Sequence, residues 1–283
     1  MSDGIRMRSV KLAQVFEYPV LERFWRDADE LGFHSVWDYD HFYGMREHAS
    51  PSFDGWSMLA AMGAVTSRIR IGCMVTGVTF RHPAILSKMA VSIDHISGGR
   101  LEFGIGAGSH QGEHAGYGIP FPSPSVRIAM LDEACEVVRR LWTEDSVTHQ
   151  GRFWTLREAL ANPKPVQDRI PIVIGGTGER KTLRVVARRA DEWNFSPIGD
   201  LGAGGPKEFE RLSGVLDAHC AAVGRNPTEI RRSIQVLLPA DDPPELMAGL
   251  RRLEEYARAG AEHAVLAFVA PPPRSVLESI APS

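Results

Sequence analysis

The sequence predicts an α/β fold, a (β/α)8 barrel of the TIM type, in one domain over residues 1–283. Three observations carry that expectation. Short apolar runs alternate with longer amphipathic stretches, and the pattern repeats eight times along the chain. A length of 283 residues is ordinary for one such barrel. No clear linker divides the chain. Repeated strand-then-helix units imply a parallel sheet, which admits a closed barrel or a doubly wound sheet; the count of eight and the missing linker favour the barrel.

The elements follow in order. Val10 to Phe16 reads as the first strand. Leu21 to Leu31 reads as a helix, because Leu21, Phe24, Trp25, Ala28 and Leu31 recur at helical spacing and Gly32 stands where a C′ glycine belongs. Ser35 to Asp38 is the second strand. A helix from Asp54 to Ser67 takes Asp54 as its N-cap. Ile69 to Val75 and Leu101 to Ile105 are the third and fourth strands, with a helix from Pro83 to Ile96 between them and one from Ser125 to Trp142 after. Glu144 to Asp168 breaks the rhythm, with a small hairpin expected over Val147 to Trp154 around Gly151. The rhythm resumes with strands at Pro171 to Ile174, Glu192 to Phe195, Arg231 to Leu238 and Ala264 to Val269. Helices at Glu179 to Arg189, Lys207 to Val223, Pro244 to Ala259 and Ser275 to Ile280 follow them in turn, with a Gly-rich loop from Gly199 to Pro206.

Composition narrows the function classes. A net charge of −3 with no basic stripe argues against nucleic acid as a partner. Cys73, Cys135 and Cys220 lie far apart without metal-ligand spacing, so buried reduced thiols and no metal site are expected. No secretory h-region and no apolar run of spanning length is present, so no membrane partner and a cytoplasmic location are expected; Met1 and Met7 are both admitted as starts. Two tempting motifs fail. The glycines Gly104, Gly106 and Gly108 follow a strand, but Ser109 occupies the third position of a dinucleotide fingerprint. The run Gly175 to Thr182 has Arg180 where a P-loop needs glycine before its lysine.

In a (β/α)8 barrel the chemistry gathers at the C-terminal ends of the strands. The second strand ends in Trp37-Asp38-Tyr39-Asp40-His41, an acid–imidazole pair able to move a proton near neutral pH, or a turn cap beside a loop histidine. The third ends in Cys73-Met74-Val75-Thr76, which alone reads as core strand and turn. The fourth ends in Gly104, Gly106 and Gly108, where small residues would let backbone approach a flat ligand, or make a tight turn. The fifth ends in Gly175-Gly176-Thr177-Gly178 before a helix, an arrangement that favours an anion such as phosphate.

Four ordered blocks, SVWDYDHFYG, IGCMVTGVTFRHPAIL, SGGRLEFGIGAG and IPIVIGGTGERKTLRVVARRADEWN, resemble the bacterial luciferase-like monooxygenase superfamily, and within it the branch of F420-dependent oxidoreductases. The resemblance covers roughly residues 10 to 240. It implies a barrel with the tricyclic ring of coenzyme F420 across the strand C-termini, and a non-proline cis peptide joining Met74 and Val75 in a bulge behind the ring. It further implies that Asp40 and His41 lie near the reacting face, His41 moving the proton and Asp40 orienting it. Met74, Val75 and Thr76 would back the ring, Gly104, Gly106 and Gly108 would flank the ribityl chain, and Gly175, Gly176 and Thr177 would bind phosphate. His110, after the GAG block, is a second acid/base candidate or a surface residue. The implied partner is a small-molecule substrate, and a homodimer is left open. The rivals are an FMN-dependent monooxygenase fed by a partner reductase, a non-catalytic cofactor-binding protein, and an aldolase. The last wants lysine at a strand end for a Schiff base, and no strand end as drawn carries one.

Overall fold

The computed structural model of the protein describes residues 5, 7–44, 50–196 and 204–282. The chain begins with β1 (Met7–Leu12), α1 (Tyr18–Glu30), β2 (Ser35–Asp38) and α2 (Gly55–Val65). The third barrel strand comes in two pieces, β3 (Arg70–Cys73) and β4 (Thr76–Gly77), followed by α3 (Pro83–Ser97) and β5 (Leu101–Gly106). A short α4 (Gln111–Gly116), the long α5 (Pro124–Thr143) and an antiparallel hairpin, β6 (Ser146–Gln150) with β7 (Thr155–Leu160), stand outside the barrel wall. Then come β8 (Ile172–Gly175), α6 (Thr182–Arg189), β9 (Glu192–Phe195), α7 (Gly205–Ala222), β10 (Arg231–Leu238), α8 (Pro243–Arg258), β11 (His263–Phe268) and α9 (Arg274–Ile280).

The sheet runs β3-β2-β1-β11-β10-β9-β8-β5 and closes because β3 also pairs with β5, Ile71 opposite Leu101. Every pairing in it is parallel, so eight strand positions form a barrel. Parallel strands are buried on both faces, which is why β5 and β11 are buried along their whole length. The helices cover the outside as their periodicity demands: α1 buries Leu21, Phe24, Trp25 and Ala28 and stops where Gly32 takes φ +77. Asp54 caps α2, its carboxylate accepting from Ser57 N at 2.8 Å.

The first strand departs from expectation. The apolar run continues to Phe16, but pairing with His263–Phe268 holds only Met7–Leu12 in the sheet. The hairpin is longer than expected, and α6 begins at Thr182, three residues after Glu179. The Gly-rich loop lies largely outside the described residues.

Inside, the bore is packed. At the N-terminal end Glu192 Oε1 holds His263 Nδ1 at 2.8 Å, His263 Nε2 meets Ser9 Oγ at 2.7 Å, and Ser9 meets Ser35 Oγ at 2.6 Å. Trp37 fills the middle against Met74, Val173 and Val265. A Cβ on Gly72 would fall 2.2 Å from the Trp37 ring, so this wall position has room only for glycine. The C-terminal end is left to form the mouth. Among the described residues no helix is long and apolar enough to cross a membrane, and the three cysteines are buried and unpaired.

Candidate active site

The peptide bond between Met74 and Val75 is cis, at the position the resemblance gave. It lies between β3 and β4, and the Val75 side chain sits against the ends of β5 and β8. The glycines around it are small for that reason. A Cβ on Gly106 would lie 2.7 Å from Val75 Cγ2, and one on Gly104 would lie 1.8 Å from the Cys73 carbonyl oxygen. A Cβ on Gly175, at the end of β8 beyond β5, would lie 3.5 Å from Val75 Cγ1. Gly104 and Gly106 therefore admit the protein's own bulge, a different reason for glycine from the ligand approach read in the sequence. Together Met74 and Val75 floor the mouth. Gly108, at φ +78, begins the wall above it, and its carbonyl accepts from Arg127 Nε at 3.2 Å.

Asp40 and His41 are neighbours in sequence but have different partners. Asp40 is buried and accepts from Thr76 Oγ1 and from Arg81 Nη1, while Arg81 Nη2 donates to Asp54 at 2.6 Å. Burial holds the Asp40 carboxyl above the usual carboxylate range, with Arg81 and Thr76 pulling the other way. The hydroxyl of Thr76 is thus committed to Asp40, and it also lies 3.3 Å from Trp56 Nε1.

His41 is oriented by Glu113 and not by Asp40, which corrects the sequence reading. Its Nδ1 lies 2.9 Å from Glu113 Oε2. Glu113 Oε1 accepts from Phe42 N at 2.7 Å and Tyr43 N at 3.2 Å, so one carboxylate fixes both the imidazole and its backbone. Burial pushes the Glu113 carboxyl up, but the hydrogen bond and charge of His41 and the two N–H donors win and hold it below its ordinary value. An ionised Glu113 accepts the Nδ1 proton, the tautomer in which Nε2 is the acceptor nitrogen of the ring. The ring stands edge-on to Tyr39, 5.0 Å between centroids, and to His110, 6.0 Å. His110 caps α4, its Nδ1 accepting from Glu113 N at 3.2 Å, and that cap sets the carboxylate under His41. Glu113 was missed in the sequence. Its only signal there was a spacing of three from His110 at the start of a short helix.

A further correction concerns lysine. Because β1 ends at Leu12, Lys11 is the penultimate residue of a barrel strand, so the premise against the aldolase reading does not hold. Its ammonium is engaged, donating to Met74 O at 2.9 Å and Gln235 Oε1 at 3.2 Å.

At the fifth strand end Gly175 joins the floor to a groove of about 540 Å³ lined by Ile128 and by Thr177 to Thr182. Gly176 takes φ +132, and its carbonyl accepts from Trp193 Nε1 at 2.8 Å. Arg180 and Lys181 flank this groove, and the N-terminus of α6 opens into it. A groove of about 410 Å³ at the opposite end, lined by Arg26, Asp29 and Arg68, has no part in this arrangement. Among the described residues no cluster of three His, Cys, Asp or Glu side chains could hold a metal.

A closed parallel barrel with a bulged third strand and an acid–imidazole dyad at its mouth defines a class, and comparison with known proteins gives it a family. Residues 6–270 match the model of the luciferase-like monooxygenase family, and the chain belongs to that family. An uncharacterised protein of Mycobacterium tuberculosis is 38% identical over 146 residues, 52% of this chain and 51% of its own, so the chain spans about half the length of that relative. The F420-dependent glucose-6-phosphate dehydrogenase of Kineococcus radiotolerans is 33% identical over 82% of this chain and 67% of its own. An F420-dependent secondary alcohol dehydrogenase, solved with an F420–acetone adduct, shares the fold with a TM-score of 0.82 at 20% identity, over 96% of both chains.

Proposed function

We propose that the protein is an F420-dependent oxidoreductase that transfers a hydride between the deazaflavin and a small organic substrate. One observation carries the reading most: the His41–Glu113 dyad opens at the barrel mouth beside the Met74–Val75 floor, where a flat ring and a small molecule could meet. The names of the relatives support the cofactor.

The residues present fit that group. The Met74–Val75 floor packs on Trp37, and the groove at Thr177 to Thr182, where Arg180 and Lys181 stand beside Glu179, offers a helix N-terminus for a phosphate. When bound, coenzyme F420 supplies a two-electron hydride acceptor at C5, which does not readily activate dioxygen. The chain supplies orientation and the proton. In the oxidising direction His41 Nε2 would accept the proton of a substrate hydroxyl whose carbon gives up the hydride. Glu113, ionised beside Nδ1, stabilises the imidazolium so formed. Asp40, locked to Arg81 and Thr76, holds the second strand's end against the third.

Titration of the purified protein with F420 and, separately, with FMN tests the reading by ligand fluorescence. Tighter binding of F420 is expected. Tight FMN binding without response to F420 would place the protein among the reduced-flavin monooxygenases instead.

A further inference from the structure

The barrel holds a cation that the dyad does not use. Lys11 Nζ donates to the Met74 carbonyl and to Gln235 Oε1 and stands 5.8 Å from the centroid of the Tyr39 ring. Its contacts therefore come from the bulge between β3 and β4, from β10 and from the turn after β2, which places the ammonium inside the bore against the floor. Both acceptors are neutral oxygens, and among the described residues no carboxylate pairs with it. Burial lowers the Lys11 pKa to about 8, with Cys73 and Asp38 pulling it back up. Asp38 does not cancel the charge: burial and the neighbouring Asp40 push its carboxyl well above the carboxylate range. With its pKa at about 8 and two neutral oxygens accepting from it, Lys11 is mostly the ammonium form at pH 7, in a setting of low polarity where a charge acts over several ångströms.

We propose that Lys11 is a positioning residue for the redox step, its ammonium holding the Met74–Val75 floor and favouring the reduced form of a ring laid there over the oxidised form. This rests on the F420 reading. A hydride brings one net negative charge to its acceptor, so a cation against the floor favours the product of that transfer more than its precursor. The floor peptide links the two: Lys11 pulls on the Met74 carbonyl oxygen and polarises the peptide group facing the mouth.

The test is binding, not turnover. The affinities of oxidised and reduced F420 are measured for the full-length wild type and for Lys11→Met, Lys11→Arg and Gln235→Glu. In Lys11→Met the preference for the reduced form is expected to fall on the order of tenfold or more. Lys11→Arg, which keeps the charge, retains most of it. Gln235→Glu leaves the lysine in place but sets a carboxylate beside it, and lowers the same preference with no large side chain removed. Equal weakening of both forms in Lys11→Met would show that the lysine only supports the floor and would overturn the proposal, as would an unchanged preference in Gln235→Glu. A wild type that binds neither form fails the F420 reading itself, and this inference falls with it. A wild type that binds both, with a preference indifferent to charge at Lys11, fails the inference alone.

Discussion

Two carboxylate–imidazole pairs of nearly the same length stand at opposite ends of the barrel. At the N-terminal end Glu192 and His263 meet at 2.8 Å, with 1% and 0% of their side chains exposed. At the mouth Glu113 and His41 meet at 2.9 Å, and 22% of the His41 side chain is exposed. The inner pair even continues through His263 Nε2 to Ser9, an order of groups that elsewhere activates a nucleophile. Here it is sealed, because Trp37 fills the bore above it and Arg231 takes the other oxygen of Glu192 at 3.0 Å. Chemistry thus depends less on the pair than on what reaches its outer nitrogen. In His263 that nitrogen is spent on Ser9; in His41 no hydrogen-bond partner for it stands among the described residues.

The comparison breaks most directly on the outer pair. His41→Ala is expected to lower turnover by about 10²–10⁴-fold while the protein stays folded and still binds cofactor. Steady-state assays over a panel of small alcohols, enones and imines provide the measurement. Glu113→Gln should fall in the same direction, because the tautomer of His41 is then no longer fixed. Turnover equal to wild type in both would remove the dyad from the mechanism and pass attention to Asp40 and His110.

The inner pair should answer in stability. His263→Leu leaves Glu192 buried with Arg231 as its remaining charged partner, and is expected to cost about 3–5 kcal/mol in urea unfolding. A serine-directed phosphonate should not label Ser9. Labelling there would show that the inner end is open, and the contrast between the ends would be lost.

A smaller effect is expected at the groove. Thr177→Asp sets a negative charge among the backbone donors and should weaken F420 binding by about 1.5–3 kcal/mol, before repulsion is added. An unchanged affinity in fluorescence titration would remove Gly175 to Thr182 as the phosphate site.

The mildest prediction sharpens the inner end by pH. Burial alone would raise the Glu102 carboxyl, but His34 and Arg70 beside it hold it at about 2, against an ordinary 4.5. A depressed carboxyl stabilises the folded state above its unfolded pKa. The contribution is therefore complete above pH 4.5 and is lost as pH falls towards 2. Denaturant midpoints measured across that window should fall with acid in the wild type and fall less steeply in Glu102→Gln. Parallel slopes would show that Glu102 titrates alike in both states.

The sequence by itself determined the order of elements and most of the barrel. Ser35 to Asp38, Glu192 to Phe195 and Arg231 to Leu238 were legible at their observed bounds, because short buried strands are bracketed by turn residues and helix caps. Asp54 and Gly32 were legible as caps because their chemistry is local. The bulge at Met74 and Val75 was legible only through resemblance, since nothing in those two side chains asks for it. The tertiary structure alone decided which groups meet. It ended β1 at Leu12, because the register with β11 decides which residues stay in the sheet, and so set Lys11 at a strand end, inside the bore against the Met74 carbonyl. It gave His41 to Glu113, 72 residues away, and Asp40 to Arg81, 41 residues away. Sequence adjacency suggested that Asp40 orients His41, but neighbouring residues can point to different sides of the chain. A hydrogen bond is a matter of distance and direction in space, set by where eight strand ends converge.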